Sequence, residues 1–209
     1  MLVAPRDASA QVHWDAGANA GIVRRIYTGG AGGGGFGPMA GIQGHVALFP
    51  LVRLGGYFSH DLSPADDGGP ARNVTSFGVR VKVGSPWPRG ALHAWAFLGL
   101  GYAEVYARSY HRSVGVGDGG SPVFADALVA GASARHLDVP FGIGIGYRFW
   151  KPWELTLEVG SHFGLDFVGS LYEEPGRAAF PAGYAERRIA PVGTDAVAPF
   201  AVLGVSLDE

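Results

Sequence analysis

Seven ionisable residues that could do chemistry stand singly within segments rich in glycine and apolar residues. Four cations and three carboxylates share this setting: Asp15, Arg53, Arg80, Lys82, Arg148, Glu154 and Glu158. A charge enclosed by small and apolar residues is costly unless a group of opposite charge meets it. The sequence therefore predicts that these groups pair with one another in an enclosed interior.

Other chemically active residue types give weaker signals. The chain has seven histidines, and His60, His111 and His136 fall in or beside the same set of predicted loops without the tight spacing of metal ligands. The glycine-rich tract 29–35 is not followed by Gly-Lys-Ser or Gly-Lys-Thr, which a phosphate-binding loop requires. Cysteine is absent, which removes disulfides, zinc ribbons and thiol nucleophiles. We therefore expect no cofactor, no metal and no catalytic residue.

The elements that must position the charged residues show an alternation of period two, which is typical of β-strands. The clearest segment, 74–83, places Val79 and Val81 on one face and Arg80 and Lys82 on the other. Eight strands are predicted, over residues 12–27, 39–49, 52–62, 74–83, 91–106, 141–148, 153–167 and 199–207.

The connections between these segments alternate between short and long. Short turns are predicted at 49–51, 85–90 and 150–153, and long loops at 28–37, 63–73, 109–140 and 169–198. Within the third loop, 123–129 is predicted to form a short helix or a loop strand. Three short turns and four long loops are typical of a membrane barrel with periplasmic turns, extracellular loops and both termini on the short-turn side.

The tryptophans support this orientation. Trp14, Trp87, Trp95, Trp150 and Trp153 all fall near the short-turn ends of the predicted strands. Tryptophan favours the boundary between lipid and water. The sequence predicts that these five side chains form an aromatic girdle.

Composition limits the remaining possibilities. The 209 residues suit one domain, and we assign 11–209 to a barrel and 1–10 to a leader remnant or periplasmic tail, because Ala8-Ser9-Ala10 resembles a signal cleavage site. No apolar run approaches the roughly 18 to 20 residues of a membrane helix. A formal charge of −2 gives no basic footprint for nucleic acid.

The segment 141–160 carries a resemblance to a known family. It reads Phe-Gly-Ile-Gly-Ile-Gly-Tyr-Arg-Phe-Trp followed by Lys-Pro-Trp-Glu-Leu-Thr-Leu-Glu-Val-Gly, which is a glycine-aromatic strand, a tight turn and a returning strand. This pattern resembles the small outer-membrane β-barrels that include the OmpA membrane domain, OmpX and OmpW. The resemblance implies an all-β, eight-stranded antiparallel up-and-down barrel in the bacterial outer membrane. It also implies contact with membrane lipid and lipopolysaccharide, and with other envelope proteins through the long loops.

The function expected from this resemblance is that of a non-enzymatic barrel whose lumen is plugged by ion pairs. A narrow passive channel for small solutes, as in the OmpW group, is one alternative. A lipid-modifying enzyme is another, for which His111-Arg112-Ser113 supplies a His-x-Ser order, although in a predicted loop and not on a late strand near a glutamate.

A soluble, lipocalin-type ligand-binding barrel is the third alternative, with the apolar face inside. Its outer face should be rich in Lys, Glu and Thr. The non-apolar face of these segments is instead largely Gly, Ala and Ser. Such small residues suit the inside of a narrow barrel, where they leave room for large side chains from facing strands.

Overall fold

The computed structural model describes residues 13–28, 35–64, 71–84, 91–116, 123–170, 176–179, 187–189 and 194–208. The predicted N-terminal tail at 1–10 and the predicted turn at 85–90 lie outside these residues. No helix in the described ranges is long and apolar enough to cross a membrane.

The described chain folds into β-strands that form two sheets. The strands are β1 (Trp14–Arg24), β2 (Ile26–Thr28), β3 (Phe36–Phe49), β4 (Val52–Ser63), β5 (Arg72–Gly84), β6 (Leu92–Ala107), β7 (Tyr110–Val116), β8 (Val123–Val129), β9 (Ala132–Trp150), β10 (Trp153–Val168), β11 (Gly176–Ala179), β12 (Arg187–Ile189) and β13 (Thr194–Asp208). Eight of them pair in the order β1-β3-β4-β5-β6-β9-β10-β13, and β13 pairs back to β1. The predicted eight-stranded antiparallel barrel is therefore confirmed.

The strands are staggered around the barrel. A path that follows cross-strand partners once around the ring, starting at Arg135 of β9, returns to the same strand at Ile145. Such a stagger tilts the strands, and eight tilted strands enclose a lumen about wide enough for side chains to fill. Side chains that point inward from different strands are therefore brought into contact.

Alternation sends apolar side chains outward and polar ones inward. On β5, Val79 and Val81 are exposed while Arg80 and Lys82 are buried. The same outward position is taken by Ile143, Ile145, Leu155, Leu157, Leu203 and Val205. An apolar outer wall around a polar interior is the reverse of a lipocalin-type barrel, so the soluble alternative is wrong.

The prediction that 109–140 is one long loop is wrong. Residues 110–116 and 123–129 form the hairpin β7–β8, and β9 already begins at Ala132. The segment 123–129 is therefore a loop strand. It also pairs with β11, which pairs with β12, so the third and fourth predicted loops share a second, four-stranded sheet.

Pro140 explains why the sequence placed the start of β9 too late. Proline has no N–H to donate and usually marks a strand boundary. Here the pairing of β9 with β6 lapses only between Leu98–Phe141 and Gly101–Asp138, and it resumes in the same register. The strand therefore passes through Pro140 at the cost of a local gap in its hydrogen bonds.

Two of the predicted short turns are observed, at Pro50-Leu51 and at Lys151-Pro152. They lie at one end of the barrel, called here the short-turn end, together with Trp14 at the start of β1 and Asp208 at the end of β13. The opposite end is the long-loop end. The last barrel strand begins at Thr194, five residues before its predicted start, which shortens the fourth loop.

Candidate functional site in the lumen

Asp15 is the centre of a charged cluster near the short-turn end. Its carboxylate accepts hydrogen bonds from His45 Nδ1 at 2.7 Å, Arg53 Nη1 at 2.7 Å and Lys82 Nζ at 3.4 Å. These donors come from β3, β4 and β5. One buried carboxylate thus joins four strands.

Asp208, the direct cross-strand partner of Asp15, extends this cluster to β13 and β9. Arg53 Nη1 also donates to Asp208 Oδ1 at 2.8 Å, and Arg148 Nη2 donates to Asp208 Oδ2. Arg53 therefore bridges two carboxylates on β1 and β13, and Asp208 bridges two guanidinium groups on β4 and β9. Asp208 was not among the residues predicted to pair, although its phase in β13 is that of the buried Ser206 and Val202.

The ion pair between Arg80 and Glu158 spans the middle of the lumen. Both guanidinium Nη atoms donate to the Glu158 carboxylate at 3.0 Å, in a bidentate arrangement. Glu158 is 2% exposed. Because β6 and β9 lie between β5 and β10 in the sheet, this pair reaches across the interior and does not join neighbouring strands.

Neutral groups complete the coordination of this ion pair. Trp95 Nε1 donates to Glu158 Oε1 at 3.1 Å, and Gln43 accepts from Arg80 Nη2 and donates to Glu158 at 3.4 Å. The Arg80 guanidinium lies 4.4 Å from the centre of the Phe97 ring, within cation–π range. Packed aromatic and amide groups therefore surround the pair on several sides.

His45 connects the Asp15 cluster to the Arg80–Glu158 pair. Its Nδ1 contacts Asp15, and its Nε2 lies 3.3 Å from Arg80 Nε. A carboxylate only accepts and a guanidinium only donates. The two contacts therefore require a neutral imidazole with its proton on Nδ1.

Trp95 is not part of an aromatic girdle, so that assignment was wrong. It lies on the inward phase of β6, is 6% exposed, and places its indole between Glu158 and the Lys82 ammonium, whose Nζ is 4.7 Å from the ring. Its cross-strand partner is Gly144, where a Cβ would collide with the indole. The glycine on the neighbouring strand makes the room that a tryptophan needs inside the barrel.

The other predicted girdle residues have different positions. Trp150 is 74% exposed and Trp153 is exposed beside it on the turn between β9 and β10, while Trp14 is half-buried on the outward phase of β1. Trp87 lies outside the described residues.

All seven predicted network residues occupy inward positions, but they do not all pair as a closed set. The contacts among them are Asp15–Arg53, Asp15–Lys82 and Arg80–Glu158. Arg148 pairs with Asp208, and Glu154 lies 3.3 Å from His93 Nε2. His45, Gln43, His93 and Asp208 were not in the predicted set, although the inward phase of each strand would have pointed to them.

A second polar group lies toward the long-loop end. His162 Nδ1 contacts both oxygens of Asp138, at 2.8 and 3.0 Å, and Tyr57 donates to Asp138 at 2.9 Å. Closer to the loops, Arg25 makes a bidentate contact with Asp61, at 2.5 and 3.1 Å, and Ser63 donates to the same carboxylate at 2.8 Å.

Apolar side chains separate these polar groups. One buried cluster combines Trp95 and Phe97 with Met39, Phe200 and Val202, and another near the long-loop end contains Val74, Val105 and neighbouring alanines. Cavities interrupt the packing, among them one of about 180 Å³ at the short-turn end and one of about 30 Å³ between Arg80, Phe97 and His162. The Arg80–Glu158 pair belongs to the wall of the smaller cavity.

The candidate His-x-Ser segment lies outside the lumen. His111 is exposed on β7, which belongs to the second sheet and not to the barrel. Within the described ranges, no group of three His, Cys, Asp or Glu side chains has the arrangement of a metal site.

Comparison with known proteins supports the fold. No protein-family model and no curated protein matches the sequence significantly. Among solved structures, neisserial surface protein A matches with a TM-score of 0.58 at 10% identity, over 93% of this chain and 96% of that one. A major outer membrane protein from Thermus thermophilus matches with a TM-score of 0.56 at 14% identity, over 95% of this chain and 99% of that one. The chain therefore has the fold of the small outer-membrane β-barrels.

Proposed function

We propose that this barrel is a non-enzymatic integral protein of the bacterial outer membrane whose lumen is closed by the Arg80–Glu158 ion pair. The observation that carries the proposal is this bidentate pair in mid-lumen, surrounded by Trp95, Gln43 and Phe97. The exposed apolar side chains on the outward phase of the strands suit contact with the acyl chains of lipid and lipopolysaccharide.

The orientation in this proposal follows the general architecture of such barrels. Short turns face the periplasm and longer loops face the cell exterior. The third and fourth long connections share a four-stranded sheet. A paired loop sheet at the outer end is a surface through which the barrel would contact other envelope proteins.

A narrow passive channel is the second candidate, and one observation favours it. Cavities of about 180 and 30 Å³ lie toward the two sides of the Arg80–Glu158 layer. Movement of this pair, together with the Trp95 indole that contacts Glu158, would therefore bring two existing spaces together. The two candidates differ in whether the pair opens in the unmodified protein.

Conductance of refolded protein in a planar bilayer distinguishes these candidates. We expect the unmodified barrel to conduct rarely or not at all, and Arg80→Gln and Glu158→Gln to raise the frequency of openings. Glu104→Gln and Arg135→Gln are matched controls, because these two residues are exposed on the outward phase of β6 and β9. Sustained conductance of the unmodified protein would contradict a closed lumen and favour the channel.

A further inference from the structure

His45 occupies a two-sided position in the lumen that the proposed function leaves unused. Its side chain is fully buried on β3. Its Nδ1 donates to the Asp15 carboxylate at 2.7 Å, and its Nε2 accepts from Arg80 Nε at 3.3 Å. The same guanidinium donates to Glu158 through its two Nη atoms. Arg80 is therefore held in place both by the closing carboxylate and by a neutral imidazole.

Charged groups face this imidazole from four other strands. Asp15 of β1 contacts it directly, Arg80 and Lys82 lie on β5, Arg53 of β4 shares Asp15, and Glu158 of β10 lies behind Arg80.

The inward-facing charges in the short-turn half balance one another as long as the imidazoles are neutral. Among the described residues, four cations meet four carboxylates there: Arg53, Arg80, Lys82 and Arg148 with Asp15, Glu154, Glu158 and Asp208. A further proton on His45 would add one unbalanced positive charge to this interior. Such a charge is costly unless water or an opposite charge meets it.

The site of that proton couples His45 to closure of the lumen. In the closed arrangement the lone pair of Nε2 accepts from Arg80, so a proton can bind there only when this contact breaks. Arg80 lines the smaller cavity, and about 30 Å³ is room for about one water molecule. A displaced guanidinium would therefore expose Nε2 to a space where water can solvate the added charge.

From this geometry we propose that His45 is an acid-sensitive switch of the lumen: a proton on its Nε2 replaces the contact with Arg80 and favours the open state. A ligand that binds one of two states shifts the equilibrium toward that state. Here the ligand is a proton and the open state binds it, so acid opens the lumen and a neutral or higher pH keeps it closed. One coupled proton changes the ratio of open to closed barrels by at most about tenfold per pH unit. This inference rests on the proposed closure by the Arg80–Glu158 pair.

The first test measures the bilayer conductance of the refolded, unmodified protein at about pH 8 and at about pH 5, because histidine in contact with water changes its charge in this interval. We expect a closed lumen at the higher pH and at least about tenfold more frequent openings at the lower pH. Equally rare openings at both pH values would overturn this inference and leave the proposed function intact. Sustained conductance at the higher pH would overturn both.

The second test assigns the acid response to one histidine. His45→Gln offers an amide donor to Asp15 and an amide acceptor to Arg80 but cannot take up a proton, so its openings should be as rare in acid as at the higher pH. His60→Gln is the matched control and should keep the full response, because His60 is exposed on the outward phase of β4.

An acid response that survives in His45→Gln would overturn the assignment and point to another group, such as His93 on the wall of the larger cavity. If this variant fails to fold, as judged by circular dichroism, the smaller His45→Asn replaces it. That side chain also cannot take up a proton, so the frequency of its openings should not depend on pH. A tenfold rise in acid would overturn the proposal.

Discussion

The two halves of the lumen are stabilised in different ways. Toward the short-turn end, carboxylates are shared: Asp15 accepts from three strands, and Asp208 joins Arg53 to Arg148. Toward the long-loop end, the carboxylates belong to two separate and smaller polar groups. Asp138 contacts His162 and Tyr57, and Asp61 contacts Arg25 and Ser63 of its own strand.

This difference indicates where the barrel is coupled across its interior. His45 links the shared cluster to the Arg80–Glu158 pair, so the short-turn half behaves as one network that touches most of the barrel strands. Loss of a central member should then affect groups on several strands, while loss at the long-loop end should stay local. Substitutions in each half test this contrast.

The largest effect should follow removal of Glu158. Glu158→Gln leaves the Arg80 guanidinium buried without its carboxylate, so we expect a loss of about 3 to 5 kcal/mol in the free energy of unfolding. The double change Arg80→Gln with Glu158→Gln should cost less than the sum of the single changes, because neither charge is then left alone. Urea unfolding of the barrel refolded in lipid vesicles measures the cycle. Strict additivity would show that the pair is not coupled.

The second prediction compares that cost with the cost of a charge in lipid. Val81→Arg places a guanidinium on the apolar outer wall, well inside β5, and should destabilise by about 2 to 4 kcal/mol. Leu92→Arg, at the short-turn end of β6, is the matched control and should cost about 0 to 1 kcal/mol. Both side chains are exposed in the barrel. Equal costs in vesicles would contradict the assignment of the outer wall to the membrane.

The outer wall was the part that the sequence predicted best. Whether a residue faces lipid or lumen depends on its phase in the strand, and the phase could be read directly from segments such as 74–83. Strand ends were harder, because Pro140 carries the signal of a chain break although β9 continues through it.

The lumen contacts could be predicted only in part. Phase alone places Arg80 and Glu158 inside, but which groups meet depends on the stagger of the barrel, which period-two alternation does not specify. Arg148 and Glu154 illustrate this limit, since they are adjacent across strands and yet have other ionic partners. Trp95 was misplaced because tryptophan near a strand end usually marks the membrane boundary, and the space provided by Gly144 becomes evident only once the strands are paired.

The third prediction concerns the long-loop half. Ser63→Ala removes one neutral donor to Asp61 and leaves the Arg25 contact in place, so it should cost about 0.5 to 1.5 kcal/mol. Combined with Glu158→Gln, its effect should add to within about 0.5 kcal/mol, as expected for sites without shared partners. The same vesicle unfolding experiment applies. A coupling well above that value would show that the two halves form one network.

The smallest effect is expected at the open edge of the shared network. Arg53 contacts both Asp15 and Asp208, yet its side chain is 31% exposed, so water screens its charges. Each carboxylate also keeps another partner when Arg53 is lost: His45 and Lys82 remain on Asp15, and Arg148 remains on Asp208. Arg53→Gln should therefore cost no more than about 1 kcal/mol, and the cost should shrink further in high salt because exposed charges are screened. Unfolding measured at low and high salt distinguishes the two variants, because burial should make the cost of Glu158→Gln nearly independent of salt. A loss of unfolding free energy as large as that of Glu158→Gln would contradict this expectation. It would mean that the remaining partners of Asp15 and Asp208 do not compensate for the loss of Arg53, and that every member of the short-turn cluster is needed for its stability.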